Sequence, residues 1–227
     1  MLMSEIEAQG FEVASDTFDR ETIDSVLSSL EKTSFPRSRA GARNLLRIPV
    51  VSSLSRDPRL MQLAQASVGM SAFPFRATLF DKSLSANWLV VWHQDTALPV
   101  REKREVTGWG PWSVKDGVVC AHAPAEALRQ VLAIRVHLDD SNSENGPLRV
   151  LPGTHRNGIL TDEAMHDLAQ TISALECHVP VGGILLMRPL LVHASSKARR
   201  GGLQRRVLHI EYASRAHFPG EIELANC

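Results

Sequence analysis

The sequence predicts a mainly β protein with flanking α-helices, and three observations carry that prediction. Over the first 70 residues the apolar positions recur at helical spacing. Beyond them they gather into eight short runs broken by Gly, Pro, Asn and Asp. One further amphipathic helix interrupts those runs. Eight short strands behind a helical layer predict a barrel or jelly roll with helices packed outside. A chain of 227 residues can bury a sizeable core as one domain, and no internal repeat or low-complexity linker divides it.

Taken in order, Ile23, Val26, Leu27 and Leu30 fall at i, i+3, i+4 and i+7, with Asp19 placed to cap the first helix. Asp57-Pro58 opens a second helix, as an N-cap followed by proline at the first helical position. Leu60, Leu63 and Ala64 form its buried stripe, and Gly69 stops it. The β-like runs are Ala77–Phe80, Trp88–Trp92, Val131–Leu138, Leu148–Leu151, Cys177–Val179, Ile184–Arg188, Leu190–Ala194 and Val207–Tyr212. Met165, Leu168, Ala169 and Ile172 mark the intervening helix, with Asp162 and Glu163 favourably placed in its first turn. Residues 1–72 therefore read as helical support and 73–214 as the β core. Residues 96–130 show no clear strand, are rich in charge and carry Trp109 and Trp112, which predicts an ordered lid.

Hydrophobic residues make up 44% of the chain and charged ones 22%, as in ordinary globular proteins. Twenty-five basic and twenty-five acidic side chains cancel. That balance argues against nucleic acid or an anionic membrane as partner, since both call for a concentrated positive field. No apolar run reaches the roughly 18 residues of a membrane span, and the acidic first residues do not read as a signal peptide. Cys120, Cys177 and Cys227 are scattered with no CxxC, which excludes a disulfide framework or zinc ribbon and predicts a reduced, cytoplasmic protein.

The sharpest chemical feature is Trp92-His93-Gln94-Asp95 at the end of a strand. His93 and Asp95 are two apart, so an extended chain points both to one face, as two ligands of one metal require. An imidazole and a carboxylate suit Fe(II) or another divalent ion, with a third ligand from elsewhere. His137-Leu138-Asp139 is a second HxD, also ending a strand; strand counting favours the first without deciding between them. The third candidate is His193, after an apolar strand that gives a histidine no packing role. Ser195 shares its face. Arg205 and Arg206 open the last run, and a buried arginine there would need an anion, its planar fork fitting a carboxylate.

Trp-His-Gln-Asp at 92–95, Asn-Gly-Pro-Leu-Arg-Val-Leu-Pro-Gly-Thr-His at 145–155, His193-Ala-Ser195 and the arginine pair at 205–206 together resemble the phytanoyl-CoA dioxygenase family over roughly residues 73 to 214. The resemblance implies a double-stranded β-helix (a jelly-roll, cupin-like core), Fe(II) as cofactor, and 2-oxoglutarate and O2 as cosubstrates. It implies His93, Asp95 and His193 as the metal ligands and sets His137 aside. Ser195 and an arginine would hold the distal carboxylate of 2-oxoglutarate. Strand alternation favours Arg205 over Arg206, because Arg205 shares a face with Val207 and His209 while Arg206 joins the apolar Leu208, Ile210 and Tyr212. The same alternation puts Asn87, Leu89 and Val91 on the face of His93, making Asn87 a cofactor-binding candidate. Arg135, Trp109 and Trp112 are candidates to line the substrate cavity, whereas Gly153, Thr154 and His155 read as turn-shaping.

The implied reaction releases succinate and CO2 and hydroxylates an unactivated C–H of a small-molecule substrate. Retention of the Asp95 carboxylate points to a hydroxylase rather than a halogenase. The competing expectation is a non-catalytic cupin-like protein that binds a metal or ligand without turning over 2-oxoglutarate. A zinc hydrolase on the same ligands is a weaker one, since zinc-activated water needs no 2-oxoglutarate site.

Overall fold

The N-terminal stretch is less purely helical than its periodicity suggests. A computed structural model describes residues 2–38, 41–83, 86–199 and 204–227. Within the first 72 residues, helices α1 (Leu2–Gln9), α2 (Arg20–Lys32), α3 (Pro49–Ser55) and α4 (Pro58–Val68) alternate with two short strands, β1 (Phe11–Ala14) and β2 (Gly41–Ala42). There follow β3 (Phe73–Lys82), β4 (Val90–His93), β5 (Ala97–Val100), β6 (Trp112–Lys115), β7 (Val118–His122), α5 (Ala125–Leu128), β8 (Val131–His137) and β9 (Leu148–Val150). Helix α6 (Asp162–Thr171), then β10 (Leu175–Cys177), β11 (Ile184–Met187), β12 (His193–Ser195), β13 (Arg205–Ala213), β14 (His217–Phe218) and β15 (Ile222–Glu223) complete the chain. The helix starts follow the expected chemistry. Asp19 accepts from the Thr22 N–H, Asp57 from the Arg59 N–H with Pro58 behind it, and Thr161 from the Ala164 N–H.

The strands make a six-stranded sheet, β1-β11-β8-β13-β3-β2, and a four-stranded sheet, β10-β9-β12-β4, antiparallel throughout. Helical support thus comes with two added strands, and β1 and β2 are the edges of the larger sheet, short strands that present few unpaired N–H and C=O groups. One face of that sheet carries Leu79, Ile134, Leu208, Ile210 and Tyr212, buried against Ile23, Val26, Leu45, Val51 and Leu60 of the helical layer. The Tyr212 hydroxyl, sealed in that layer, donates to the Ser55 carbonyl at 2.9 Å. The other face meets the smaller sheet through Ala133, Leu185 and Met187 on one side and Leu148, Val150 and Cys177 on the other. The inner positions of β3, β8 and β13 also carry buried polar side chains, among them Lys82, Arg135, Arg205, His209 and Glu211.

Residues 96–130, expected to lack strands, form a three-stranded antiparallel sheet, β5-β7-β6, followed by the short α5. The missed signal is Asp116-Gly117, both with positive φ, the favoured two-residue hairpin turn between β6 and β7. This sheet has its own core, in which Trp109 is buried with its ring centroid 5.7 Å from that of Phe218. Trp112 packs on the same cluster. Both tryptophans anchor this wall and neither lines a cavity next to the candidate ligands, so the substrate role expected for them gives way to packing.

Candidate active site

Antiparallel pairing of β12 with β4 sets His193 directly opposite His93. With Asp95 just past the end of β4, the three offer ligand atoms within 4.8 Å of one another. His93 Nε2 lies 3.8 Å and His193 Nε2 3.5 Å from the two Asp95 oxygens, and the ring centroids are 4.1 Å apart. Each ring is oriented in the same way: His93 Nδ1 sits 2.9 Å from the Val91 carbonyl and His193 Nδ1 2.8 Å from the Leu191 carbonyl. A carbonyl can only accept, so Nδ1 carries the proton and Nε2 turns a lone pair toward Asp95, the tautomer a metal ligand needs. Burial pushes the His193 imidazole down to about 4. Burial would raise the Asp95 carboxyl, but the His193 and His93 rings, His209 and the Arg76 guanidinium outweigh it and hold it well below the usual range. Neutral imidazoles and an ionised carboxylate are a donor set for a hard-to-borderline divalent cation.

The rest of the site is written along two paired strands. On the inner face of β3 lie Arg76, Thr78, Phe80 and Lys82, and opposite them on β13 lie Glu211, His209, Val207 and Arg205. At the Lys82–Arg205 end a cavity of about 80 Å³ is lined by Phe80, Trp88, Arg135, Ser195 and Arg205 beside the three candidate ligands. Apart from Asp95, no acidic side chain among the described residues lines it. Arg205 is 3% and Arg135 5% exposed, yet Arg205 spends one N–H on the Ser195 hydroxyl at 3.3 Å and leaves its buried Nε and Nη1 without partners among the described residues. Arg135 approaches His209 Nδ1 at 3.2 Å and likewise leaves Nε unpartnered. Burial, reinforced by Arg135, pushes the Arg205 guanidinium down to about 9. Buried cations with idle donors form an incomplete arrangement, and an anion is the group that completes it.

Lys82 belongs to this end and was not anticipated. It is 1% exposed, donates to Ser195 Oγ at 3.0 Å and to the Ser196 carbonyl at 2.5 Å, and stands over the Trp88 ring. Burial, then Arg205 and Arg135, push its ammonium down to about 7. The run read as Ala77–Phe80 extends to Lys82, and a lysine at the end of an apolar strand reads as solvated unless its partner strand is known.

Arg206 points the other way, its backbone N–H, Nε and Nη2 all donating to the Asp139 carboxylate at 2.8–2.9 Å. Asp139 is thereby committed, which removes the second HxD from contention. His137 is 1% exposed with both ring nitrogens unpartnered, away from the three candidate ligands. Asn87 does not face the cavity. Its amide donates to the Ala198 carbonyl and accepts from the Ala198 N–H, at 3.1 and 2.7 Å. The physical reason is a β-bulge. His193 pairs with His93 but Ser195 with Val90, so Val91 and Trp92 on β4 together oppose Ala194 on β12 and the alternation slips. Trp88 and Val90 line the cavity in consequence, while Leu89 and Val91 are exposed.

The segment 145–155 shapes the support for His193 and Ser195. Gly146 has φ +70°, accepts from the Ser195 hydroxyl through its carbonyl at 3.0 Å, and a Cβ there would lie 2.3 Å from the Ser196 carbonyl oxygen. Gly146→Ala should therefore destabilise the fold by about 1–3 kcal/mol, read as a lower denaturant midpoint at unchanged slope. Thr154 Oγ1 donates to the Leu151 carbonyl and accepts from the Val192 N–H, next to His193. Gln94, between His93 and Asp95, points away from the cavity and is buried. It donates to the Gly158 and Leu190 carbonyls and accepts from the Leu160 N–H, while the Asp95 N–H donates to the Pro189 carbonyl. Gln94→Ala strands those groups and should cost about 2–3 kcal/mol, checked by thermal unfolding.

Comparison with known proteins places the chain in a family. The chain is 28% identical over 191 residues to L-proline trans-4-hydroxylase of Streptomyces griseoviridis, covering 72% of this chain and 62% of the relative. It is 29% identical over 111 residues to ectoine dioxygenase of Bordetella parapertussis, covering 49% of this chain and 29% of that protein. The matches thus span less than two thirds of these relatives' lengths. Among solved structures, EctD from S. alaskensis superposes with a TM-score of 0.70 at 17% identity, over 99% of this chain and 83% of that one. HygX from Streptomyces hygroscopicus, solved with nickel and 2-oxoglutarate bound, superposes with a TM-score of 0.66 at 20% identity over 93% and 85%. Residues 7–207 match the family described as Phytanoyl-CoA dioxygenase (PhyH), and the chain belongs to that family.

Proposed function

We propose that the protein is an Fe(II)- and 2-oxoglutarate-dependent dioxygenase that hydroxylates an unactivated C–H of a small-molecule metabolite, with release of succinate and CO2. The observation that carries this reading is the pairing of His93, Asp95 and His193 with a buried cavity whose Arg205 and Arg135 donors lack partners. We read residues 1–227 as one catalytic domain and the two facing sheets as the halves of a jelly roll. The relatives fit: one is an L-proline trans-4-hydroxylase, one an ectoine dioxygenase, and HygX was solved with 2-oxoglutarate bound. Three free, buried cysteines suit a reducing, cytoplasmic setting, and no helix among the described residues is long and apolar enough to cross a membrane.

His93, Asp95 and His193 would hold Fe(II), which when bound supplies the activation of O2 that drives oxidation of 2-oxoglutarate and substrate. The protein's own part is placement. The Val91 and Leu191 carbonyls fix both imidazoles, the Pro189 carbonyl fixes the Asp95 backbone, and Arg205, Ser195 and Lys82 form the receptor for the distal carboxylate. Pro99, Lys115, Val118 and Cys120 of the β5-β7-β6 sheet line a cavity that reaches Asp95. Anaerobic titration with Fe(II) and then 2-oxoglutarate should give the visible metal-to-ligand charge-transfer band. Metal binding without the band at any 2-oxoglutarate concentration would favour the cupin-like binding protein instead.

A further inference from the structure

A second cavity opens on the other side of Asp95. It measures about 150 Å³ and runs from Asp95, Thr78 and His209 outward to Arg43, Asn44 and Lys115. Arg43 and Asn44 also line an adjoining outer cavity of about 320 Å³, together with Arg37, Arg47 and Asp116. The two spaces therefore share a rim, and Asp95 lies at the inner end of the path.

The charges along this path are unevenly answered. Inside, Arg76 donates to both oxygens of the buried Glu211, so these two neutralise each other and neither is left to seize a charged ligand. At the rim, Arg37 meets Asp81 and Arg43 meets Asp116, both at 2.9 Å. The Arg43–Asp116 pair is 43% and 55% exposed, a pair of little intrinsic strength. Arg47 and Lys115 have no carboxylate partner among the described residues. The other cations of residues 96–115 behave differently. Arg101 is matched to Glu223, Lys103 to Glu105, and Arg104 to Glu102 and Glu221. Of the basic residues in that segment, Lys115 alone among the described residues lines the cavity and stays unanswered.

The hairpin geometry explains its position. Lys115 is the last residue of β6, and the Asp116-Gly117 turn folds back against the 43–44 loop through Arg43 Nη1 to Asp116 Oδ2 and Asn44 Nδ2 to the Asp116 carbonyl. That tether sets Lys115 and Arg43 across one mouth. Lys115 without a carboxylate, and Arg43 held only by the exposed Asp116, stand at a mouth with the neutralised Arg76–Glu211 pair behind it, which selects for negative charge on the outer part of the ligand.

We propose that Lys115 and Arg43 bind an anionic group of the substrate, a carboxylate or a phosphate, leaving its uncharged body directed inward to Asp95. This rests on the dioxygenase reading for which substrate enters, but its test does not. Protein anaerobically loaded with Fe(II) and saturating 2-oxoglutarate, so that the Arg205 end is filled, is titrated calorimetrically at low ionic strength with malonate and with inorganic phosphate. At least one anion is expected to bind at millimolar Kd or tighter. Lys115→Gln and Arg43→Gln should each weaken it at least fivefold, while Lys103→Gln leaves it unchanged. The preferred anion identifies the group. The Lys115→Gln arm does not touch the Arg43–Asp116 tether, so a folding defect in Arg43→Gln does not decide the outcome. Absence of binding by both anions, or binding indifferent to Lys115→Gln, overturns the proposal. The charge-transfer band in the same samples reports the dioxygenase reading separately: loss of anion binding with the band intact removes only the substrate assignment.

Discussion

His193→Ala and Asp95→Ala should each abolish the Fe(II)–2-oxoglutarate charge-transfer band and lower succinate release by at least ~10³-fold, because members of one metal-holding unit fail together rather than additively. The loss is expected without unfolding. Alanine at 193 removes one imidazole but keeps the β12 backbone, whose pairing with β9 and β4 is independent of the ring. Far-ultraviolet circular dichroism should superpose on the parent protein, and metal content after desalting should fall below one per chain. His137→Leu is the contrasting case. His137 is fully buried, neutral by burial and the fields of Arg135 and Arg205, and satisfies neither ring nitrogen within the protein. Leucine relieves two stranded polar atoms at similar volume, so the band should persist and stability should hold or rise. A band lost in His137→Leu and kept in His193→Ala would relocate the metal to the second HxD.

What the sequence showed and what it hid divide along a physical line. Local signals were legible. The caps at Asp19 and Asp57, the stop at Gly69, the run of β strands and the HxD-plus-histidine spacing rest on residues that act within a few positions of themselves. Strand alternation also separated Arg205 from Arg206, because β13 is regular over the residues concerned. The same arithmetic failed for Asn87, where the bulge in β4 shifts the face by one residue, and a bulge is a property of the strand pair. Lys82 was invisible for a similar reason. Its meaning comes from Ser195, 113 positions away, and from Arg205 in register on β13. Trp109 and Trp112 misled because a large aromatic in a charged segment serves equally as anchor or cavity wall, and only the core cluster around Phe218 chooses. Asp116-Gly117, a local hairpin signal with both residues at positive φ, is the one part of residues 96–130 that a few neighbouring positions specify.

Lys82→Met and Arg205→Gln are expected to share one effect and differ in a second. Both should weaken 2-oxoglutarate, by roughly 10–100-fold for loss of one charged hydrogen bond to a carboxylate, with little change in Fe(II) affinity. The second effect concerns protons. Without an anion the Lys82 ammonium sits at about 7, lowered by burial and by Arg205 and Arg135, against an ordinary value of 10.5. A carboxylate entering beside it restores the charged form, so binding raises this pKa and takes up a proton. Uptake should be near zero well below pH 7, where Lys82 is already charged, and approach one proton per 2-oxoglutarate near pH 8–9. It is measured by calorimetry in buffers of different ionisation heat. Affinity should accordingly fall as pH rises above about 7. Stability has the opposite dependence. A folded pKa below the unfolded one penalises the fold as pH drops from about 10 toward 7, and the penalty is complete below about 7. Methionine carries no such penalty, so at pH 7 the ligand-free Lys82→Met protein should melt higher than the parent, by about 2–4 °C per kcal/mol recovered. It should bind 2-oxoglutarate worse and take up no proton. Arg205→Gln should keep the uptake, at a higher Lys82 pKa, since one of the repelling cations is gone. Equal proton uptake in the parent and in Lys82→Met would show that the lysine does not meet the carboxylate, and the receptor would reduce to Arg205 and Ser195.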